Sequence, residues 1–245
     1  MNFIINLYKP FFDLHNWQQV ITSPSDWVLI LSLIVMECLL SVDNSIVLAA
    51  QAHTLETKKE QEEALFYGIW GAFIFRFLII GVATFLIKLW WIKVLGAIYL
   101  VYMAVSFFYK KSHSSKKKNK MFKIKGLKPL LQVIISVEFT DIMFSLDSVL
   151  TLVAISNNPV IILIGSIVGI IAMRGVAEVI IKLMNKIPEL EPMAYILILV
   201  IAVKLFLSIP AIDIEINNSI FVIILVIAFA TTFIVHFLRK KQTRK

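Results

Sequence analysis

Two short acidic segments stand inside apolar runs, and each repeats the order of the other. In the first, Glu37, Ser41, Asp43 and Asn44 are spaced Glu-x3-Ser-x-Asp-Asn. An Asp in the middle of a membrane-spanning run costs roughly 2.5–3.5 kcal/mol to insert, so such residues are functional or paired with a cation. Their carboxylate, hydroxyl and amide oxygens are hard ligands, which suit Mn, Mg or Ca better than Zn or Cu. The segment predicts part of a polar site for a divalent cation.

The second segment lies in the other half of the chain. Asp141, Ser145, Asp147 and Ser148 are spaced Asp-x3-Ser-x-Asp-Ser, and a further acid, Glu138, precedes them. Two matched acidic segments indicate one polar site built from both halves of the chain.

Composition identifies the class of protein that carries these segments. Of 245 residues, 59% are hydrophobic and 16% charged, and the mean hydropathy of +0.87 is typical of a polytopic membrane protein. The net charge of +8 does not indicate a nucleic-acid partner, because the basic residues flank apolar runs. The single cysteine, Cys38, excludes an intrachain disulfide.

Apolar runs of about 20 residues predict membrane-spanning helices. Seven are predicted, at 27–52, 64–87, 92–109, 129–154, 159–183, 192–209 and 218–238. The corresponding division of the chain is an N-terminal interfacial segment (1–25), a first repeat (26–109), a basic linker (110–128), a second repeat (129–209) and a seventh span with a basic tail (210–245).

The lysine and arginine distribution predicts orientation. Eighteen of these residues fall on one side of the predicted spans, nine of them in the linker, against three on the other side. Cytoplasmic loops carry the excess of positive residues. The amino terminus is therefore expected outside a cell membrane and the carboxyl terminus in the cytoplasm.

A second pair of motifs supports an internal repeat. Gly71-x4-Arg76 in span two corresponds to Gly169-x4-Arg174 in span five. Because three is an odd number, two consecutive three-span units insert with opposite orientation. The predicted fold is an all-α membrane protein with two inverted three-helix repeats and a C-terminal helix, an architecture of many secondary transporters.

Both acidic motifs, the Gly-x4-Arg elements and the stretch 90–96 (WWIKVLG) resemble the TerC family of integral membrane proteins over roughly residues 26–238. The resemblance implies a divalent-cation transporter, typically a manganese exporter. It also implies that the family's acidic residues correspond to Glu37, Asp43, Glu138, Asp141 and Asp147. The predicted metal site comprises these five acids and Asn44, supported by Ser41, Ser145, Arg76, Arg174 and Lys204.

Charge within the spans suggests how transport is coupled. Six carboxylates, those five and Glu178, face three cations, so three negative charges are in excess if all are ionised. In a low dielectric such an excess is relieved by protonation or by a bound cation. Exporting a divalent cation against an inside-negative potential costs about 4.6 kcal/mol per 100 mV, twice the single-charge value. Export therefore needs coupling, and entering protons are the simplest source.

Several pairings are left open by the sequence. Arg174 and Glu178 are four residues apart, so an intrahelical ion pair is the favoured interpretation. Arg76 has no acid at that spacing and is expected to pair with a motif acid of another span, which would make Asp43 partly structural. Lys204 either neutralises an acid or contacts the substrate.

Angular spacing predicts the backbone shape of both motifs. On an ideal helix Asp43 points about 120° away from Glu37, and Asp147 about 180° away from Glu138. Straight helices could not direct these acids at one ion. We therefore expect spans one and four to be broken near 41–44 and 145–148.

The same residues could serve other functions. An intramembrane aspartyl protease also needs two membrane aspartates, but its motifs differ from these. A retinal protein needs its lysine in the last span, whereas Lys204 is in the sixth. A membrane protein that binds metal without transporting it remains an alternative. The prediction is a non-enzymatic transporter without a prosthetic group, whose partners are a divalent ion, protons and the lipid bilayer.

Overall fold

The computed structural model describes residues 8–82, 90–112, 127–214 and 216–242, without the side chains of 146, 147, 218 and 240–242. Every regular element in these residues is helical, which confirms the all-α class. Most of the predicted linker and the first residues of the interfacial segment lie outside the described residues. After a helical stretch at 8–12, the helices are α1 (Leu14–Thr22), α2 (Pro24–Leu40), α3 (Val42–His53), α4 (Lys58–Gly81), α5 (Trp90–Ser112), α6 (Pro129–Ile155), α7 (Pro159–Lys186), α8 (Leu190–Leu207) and α9 (Asn218–Gln242).

Local sequence sets where several helices begin. Ser23 and Asn158 cap α2 and α7 by accepting backbone N–H groups of the first turn. Pro24 and Pro159 follow them at the first helical position, where the missing N–H costs nothing. Thr57 begins α4 with a capping box. These caps fix the entry points of the helices that carry or face the two motifs.

The described helices include long apolar ones, as predicted for membrane spans, but their number and bounds differ from the predicted seven. In the described residues five helices are long and apolar enough to cross a membrane, namely α4, α5, α7, α8 and most of α9. A sixth is added if α1 and α2, which meet at 88°, are taken as one bent span. The predicted first span, 27–52, is divided between α2 and α3, and the predicted fourth span is α6, which is 27 residues long.

The acidic motifs lie where helices of the two halves pack together. Helix α6 packs on α4, while α2 and α3 pack on α7. Contacts between α4 and α7, between α3 and α6, and between α5 and α8 complete the bundle. Helix α9 lies at its edge, against α8, with most of its apolar side chains exposed. Both motifs are therefore surrounded by other helices.

Polar contacts join helix termini at each end of the bundle. At the end where α7 finishes are Asn185–Gln61, Glu191–His53 and Glu189–His236. At the end where α7 begins are Asn158–Asn16, and Lys93 donating to the carbonyl of Ser208. The first group joins the connections that the charge distribution places on one side of the membrane.

Candidate metal site

The first motif interrupts its helix at Ser41. Helix α2 ends at Leu40 and α3 begins at Val42, with Ser41 between them at φ −101° and ψ 5°. The predicted break in span one is thus confirmed. It is shallow, because the Ser41 N–H still donates to the carbonyl of Glu37 (2.9 Å) and the Ser45 N–H to that of Ser41 (3.0 Å). The break places Asp43 in the first turn of a new helix.

The second motif does not interrupt its helix, so the predicted break near 145–148 is wrong. Helix α6 runs from Pro129 to Ile155 through all of the motif. The Ser148 hydroxyl donates to the carbonyl of Ser145 (3.4 Å) within the intact helix. Ser can make this bond to its own helix without a break, so the presence of serines was not sufficient to predict one.

Arg76 joins three helices at the first motif. Its Nη2 donates to Glu37 Oε1 of α2 (2.7 Å), and its Nη1 to Ser148 Oγ of α6 (2.7 Å). All three side chains are buried. The expected pairing of Arg76 with a motif acid of another span is confirmed, and that acid is Glu37 rather than Asp43.

Arg174 plays the corresponding part at the second motif. Its Nη2 bonds Asp141 of α6 and the carbonyl of Gly68 in α4 (3.1 Å). The favoured Arg174–Glu178 pair is wrong: Glu178 accepts from Lys182 at 2.5 Å, with both side chains largely exposed. A guanidinium buried among helices is stabilised by an equally buried carboxylate, whereas the Glu178 side chain is largely exposed.

Lys204 of α8 forms the third contact between a membrane cation and a motif acid, and it is partly buried. Its Nζ donates to Asp43 Oδ2 at 2.9 Å and lies 5.2 Å from the centre of the Phe221 ring in α9. The other Asp43 oxygen accepts from the backbone N–H of Asn44. The alternative in which Lys204 neutralises an acid is therefore the one observed. All three membrane cations pair with different motif acids: Glu37, Asp141 and Asp43.

Glu138 has no such pairing among the described residues. Both its carboxylate oxygens are buried and lack a hydrogen-bond partner. The carboxylate lies over Gly71 of α4, in the space that a Cβ there would fill. Glu37 likewise occupies the space over Gly169 of α7. Each glycine of the paired Gly-x4-Arg elements thus makes room for an acid from the other half of the chain.

These contacts divide the roles of the acids unequally. In the first half a single acid, Glu37, both fills the space over Gly169 and bonds Arg76. In the second half Glu138 covers Gly71, while Asp141 binds the arginine. When the two motifs are aligned by sequence, Glu37 corresponds to Asp141. By contact with a glycine of the other half, however, Glu37 corresponds to Glu138, which lies one helical turn before Asp141. The second half therefore uses two acids for the two contacts that Glu37 makes by itself in the first half.

A cavity of about 670 Å³ reaches the two motifs. Its wall includes Asp43 and Asn44 from the first motif and Ser148 from the second, together with Lys204 and Lys93. Ser208 and Asn217 also line it, so it extends toward the end of the bundle where α9 begins. The cavity supplies carboxylate, amide and hydroxyl oxygens from both halves of the chain.

The predicted ligands are not gathered around one point. Among the described side chains, no three of the His, Cys, Asp and Glu type approach as a metal-ligand set. Asp43 and Asn44 line the cavity, whereas Glu37 and Asp141 are buried in ion pairs with arginines. Asp147 has the sequence position in the second motif that Asp43 has in the first, and its side chain is not among those described. Ser41 and Ser145 are buried within the motifs.

A model of the family described as integral membrane protein TerC family matches residues 22–244. The chain belongs to the TerC family. It is 43% identical to the uncharacterized membrane protein YceF of Bacillus subtilis, over 100% of this chain and 96% of that protein. It is 34% identical to YkoY of the same organism over 74% of this chain and 60% of that protein. It is 27% identical to the chloroplastic thylakoid membrane protein TERC of Arabidopsis thaliana, over 71% of this chain and 52% of that one. No solved structure matches the chain significantly.

Two features of this TerC protein were missed in the sequence. Phe221 contacts Lys204, but its position within an apolar run gave no signal. Gln51 is fully buried in α3 and exchanges long hydrogen bonds of 3.4 Å with Thr140 of α6. A polar amide inside a predicted span was a detectable signal, since such residues link membrane helices. The Gln51–Thr140 contact lies between the helices that carry the two motifs.

Proposed function

We propose that this TerC protein is a secondary transporter that exports divalent metal ions, with Mn²⁺ as its principal substrate. The observation that carries the proposal is the cavity whose wall joins Asp43 and Asn44 of one motif to Ser148 of the other. A cavity reaching an acidic residue inside a membrane bundle is the arrangement expected of an ion pathway.

The donor atoms support a hard divalent cation. Asp43 offers a carboxylate, Asn44 an amide oxygen and Ser148 a hydroxyl, and oxygen sets of this kind suit Mn, Mg or Ca. Discrimination among these ions must come from geometry, because Mn²⁺ stands low in the general affinity order. Within the resemblance to the TerC family, Mn²⁺ is the expected choice.

Charge balance supports coupling to protons. The membrane cations are each engaged with an acid, as described above, and the buried oxygens of the Glu138 carboxylate have no hydrogen-bond partner among the described residues. A carboxylate in such surroundings is stabilised by a proton or by an arriving cation. We assign to Glu138 and the neighbouring acids the exchange of protons against the metal.

The packing supports two inverted repeats with the site between them. Helix α6, the first span of the second repeat, packs on α4, the second span of the first repeat. Helices α2 and α3, the first span of the first repeat, pack on α7, the second span of the second repeat. Each contact is thus the other with the two repeats exchanged. The remaining main contacts, α4 with α7 and α5 with α8, join equivalent helices. We propose in addition that the amino terminus lies outside a cell membrane, so that the end of the bundle toward which the cavity extends faces outward, the direction needed for release of an exported ion.

The alternatives make different uses of the aspartates. A protease dyad requires two carboxylates that share a proton, whereas Asp43 bonds the Lys204 ammonium group. The names of the relatives specify a membrane and no substrate. Donor chemistry, the cavity and the family resemblance are therefore the grounds for the proposal.

The test is metal flux in proteoliposomes with an imposed pH gradient, comparing Mn²⁺ with Ca²⁺, Mg²⁺, Zn²⁺ and Fe²⁺. We expect Mn²⁺ movement that depends on the gradient and is lost in Asp43→Asn. Absence of flux for every divalent ion in folded protein would overturn the proposal. Mn²⁺ binding without flux would favour the non-transporting alternative, and peptide cleavage would favour the protease.

A further inference from the structure

Lys204 occupies the position that an incoming cation would take at Asp43. Its ammonium group is 2.9 Å from Asp43 Oδ2, and both residues line the cavity. The side chain of Lys204 is 22% exposed, whereas that of Asp43 is 9% exposed. A cation arriving through the cavity therefore meets a carboxylate already bonded to a charged group of the protein.

The contact sets a requirement on any competing ion. A tethered ammonium competes strongly, since much of the entropy of association is already lost in the fold. A free monovalent cation brings the same charge as the amine it displaces and gains no additional Coulomb attraction. A divalent cation at the same distance gains twice the attraction. Displacement of Lys204 thus favours ions of higher charge.

Phe221 gives the Lys204 amine a second favourable contact besides that with Asp43. The ring centre is 5.2 Å from the Lys204 Nζ, which is within the range of a cation–π contact. Lys204 could therefore leave the carboxylate without losing every favourable contact of its charge. The ring belongs to α9, the peripheral helix outside the two predicted repeats.

We infer that Lys204 is a tethered competitor that excludes monovalent cations from Asp43 and yields to divalent ones, so that it sets the valence selectivity of the site. The inference rests on one part of the proposed function, namely that Asp43 is a ligand of the divalent ion. It goes beyond neutralising an acid: the amine is a specificity determinant that the substrate must displace.

The experiment measures Mn²⁺ binding to the purified full-length protein by isothermal titration calorimetry. Titrations are made in NaCl, in KCl and in N-methylglucamine chloride at equal ionic strength, so that screening is constant and only the availability of a small monovalent cation changes. In the unsubstituted protein we expect the dissociation constants to agree within about twofold across the salts. In Lys204→Gln we expect tighter binding in N-methylglucamine, with a weakening of about tenfold or more in NaCl or KCl.

Two further variants separate occupancy of Asp43 from general effects. Lys93→Gln removes a positive charge from the same cavity but leaves the Lys204 amine on Asp43. We expect it to retain resistance to Na⁺ and K⁺. Lys204→Arg keeps the charge and adds a fork-shaped donor set that holds a carboxylate more firmly. We expect it to bind Mn²⁺ more weakly than the unsubstituted protein while still excluding monovalent ions.

The outcomes distinguish this inference from the proposed function. Resistance to Na⁺ and K⁺ that is unchanged in folded Lys204→Gln, or an equal loss in Lys93→Gln, would overturn the inference even if Mn²⁺ is transported. If Lys204→Gln does not fold, Lys204→Arg decides: unchanged Mn²⁺ affinity overturns the inference, and weakened affinity with monovalent exclusion supports it. The expected salt dependence in a protein that moves no metal would leave the inference standing and overturn the proposed function.

Discussion

The Glu138 carboxylate lies over Gly71, in the space that a Cβ atom on that residue would occupy. Glu37 is placed in the same way over Gly169. In both cases acid and glycine come from different halves of the chain. Gly71 and Gly169 are helical, so what they provide is room for an acidic side chain rather than an unusual backbone conformation.

Gly71→Ala is therefore expected to displace Glu138 and destabilise the protein. A methyl group inserted into a filled space typically costs about 1–3 kcal/mol. Thermal unfolding in detergent would measure the loss of stability, and Mn²⁺ flux would show whether the acid must be in this position.

Gly175→Ala is the matched control, because a Cβ on Gly175 of α7 meets nothing within 4 Å. It is expected to leave stability unchanged or slightly raised, since Ala has the higher helix propensity. Equal destabilisation by the two substitutions would contradict the steric role of Gly71.

Arg76 and Glu37 are expected to behave as a coupled pair in a double-mutant cycle. Removing one partner of a buried ion pair typically costs about 3–5 kcal/mol, because the other charge is left unpaired. Glu37→Gln and Arg76→Met should each be strongly destabilising, and the double substitution should cost less than their sum. Unfolding free energies of the four proteins give the coupling, and additive effects would contradict the observed 2.7 Å contact.

Asp43→Asn is expected to abolish metal flux while the protein remains folded, since it removes the charge at the cavity wall. Glu178→Gln is the comparison, because Glu178 is partly exposed and pairs with Lys182. Its effect on flux should be small, as exposed pairs contribute about 0–1 kcal/mol. Normal flux in Asp43→Asn, checked for folding by size-exclusion chromatography, would rule out this aspartate as part of the pathway.

The contact of α9 with the connection before α8 should weaken in acid. The hydrogen bond with His236 is the main cause that lowers the pKa of Glu189 below its ordinary value of 4.5. A carboxyl group with a lowered pKa in the folded state stabilises it fully above the ordinary pKa, and this contribution is lost as the pH falls through the lowered value. Hydrogen exchange near His236 should therefore become faster as the pH falls below 4.5, after correction for the intrinsic rate.

In Glu189→Gln the protection near His236 should no longer depend on pH in this range. Glu63→Gln serves as a control, because Glu63 is paired with the exposed Lys59 away from α9. A pH dependence that persists in Glu189→Gln would assign the effect to another group.

Orientation can be tested with single cysteines in a Cys38→Ser background. Asn157 and Asn217 are exposed at the end of the bundle predicted to lie outside, and Lys59 is exposed at the opposite end. Impermeant thiol reagents added to intact cells should label cysteines at Asn157 and Asn217 but not at Lys59. Labelling of Lys59 together with the other two would exclude the predicted topology.

The sequence was sufficient to predict the helical membrane class and to find the residues that pack at the centre. A carboxylate within an apolar run is costly to insert into a membrane and is therefore rare there. This identified Glu37, Asp43, Glu138 and Asp141 as candidate site residues. Which acid pairs with which cation was less predictable. The i, i+4 rule favoured an Arg174–Glu178 pair, but Arg174 pairs instead with Asp141, a buried carboxylate on α6.

Backbone shape was predicted for one motif and missed for the other. The interruption predicted from angular spacing is present at Ser41, whereas α6 passes through the second motif unbroken. The prediction assumed that all acids converge on one ion. The structure instead places Glu37 and Asp141 in separate arginine pairs, so α6 needs no break to orient them. Pairing between distant helices is a tertiary property that local spacing does not encode.

The Arg76 guanidinium has a mechanical consequence. It bonds Glu37 of α2 and Ser148 of α6 while belonging to α4. Sliding any one of these helices past the others would break a buried, charge-assisted hydrogen bond, whereas moving all three together would break neither. A displacement that preserves both Arg76 contacts must therefore carry α2, α4 and α6 together.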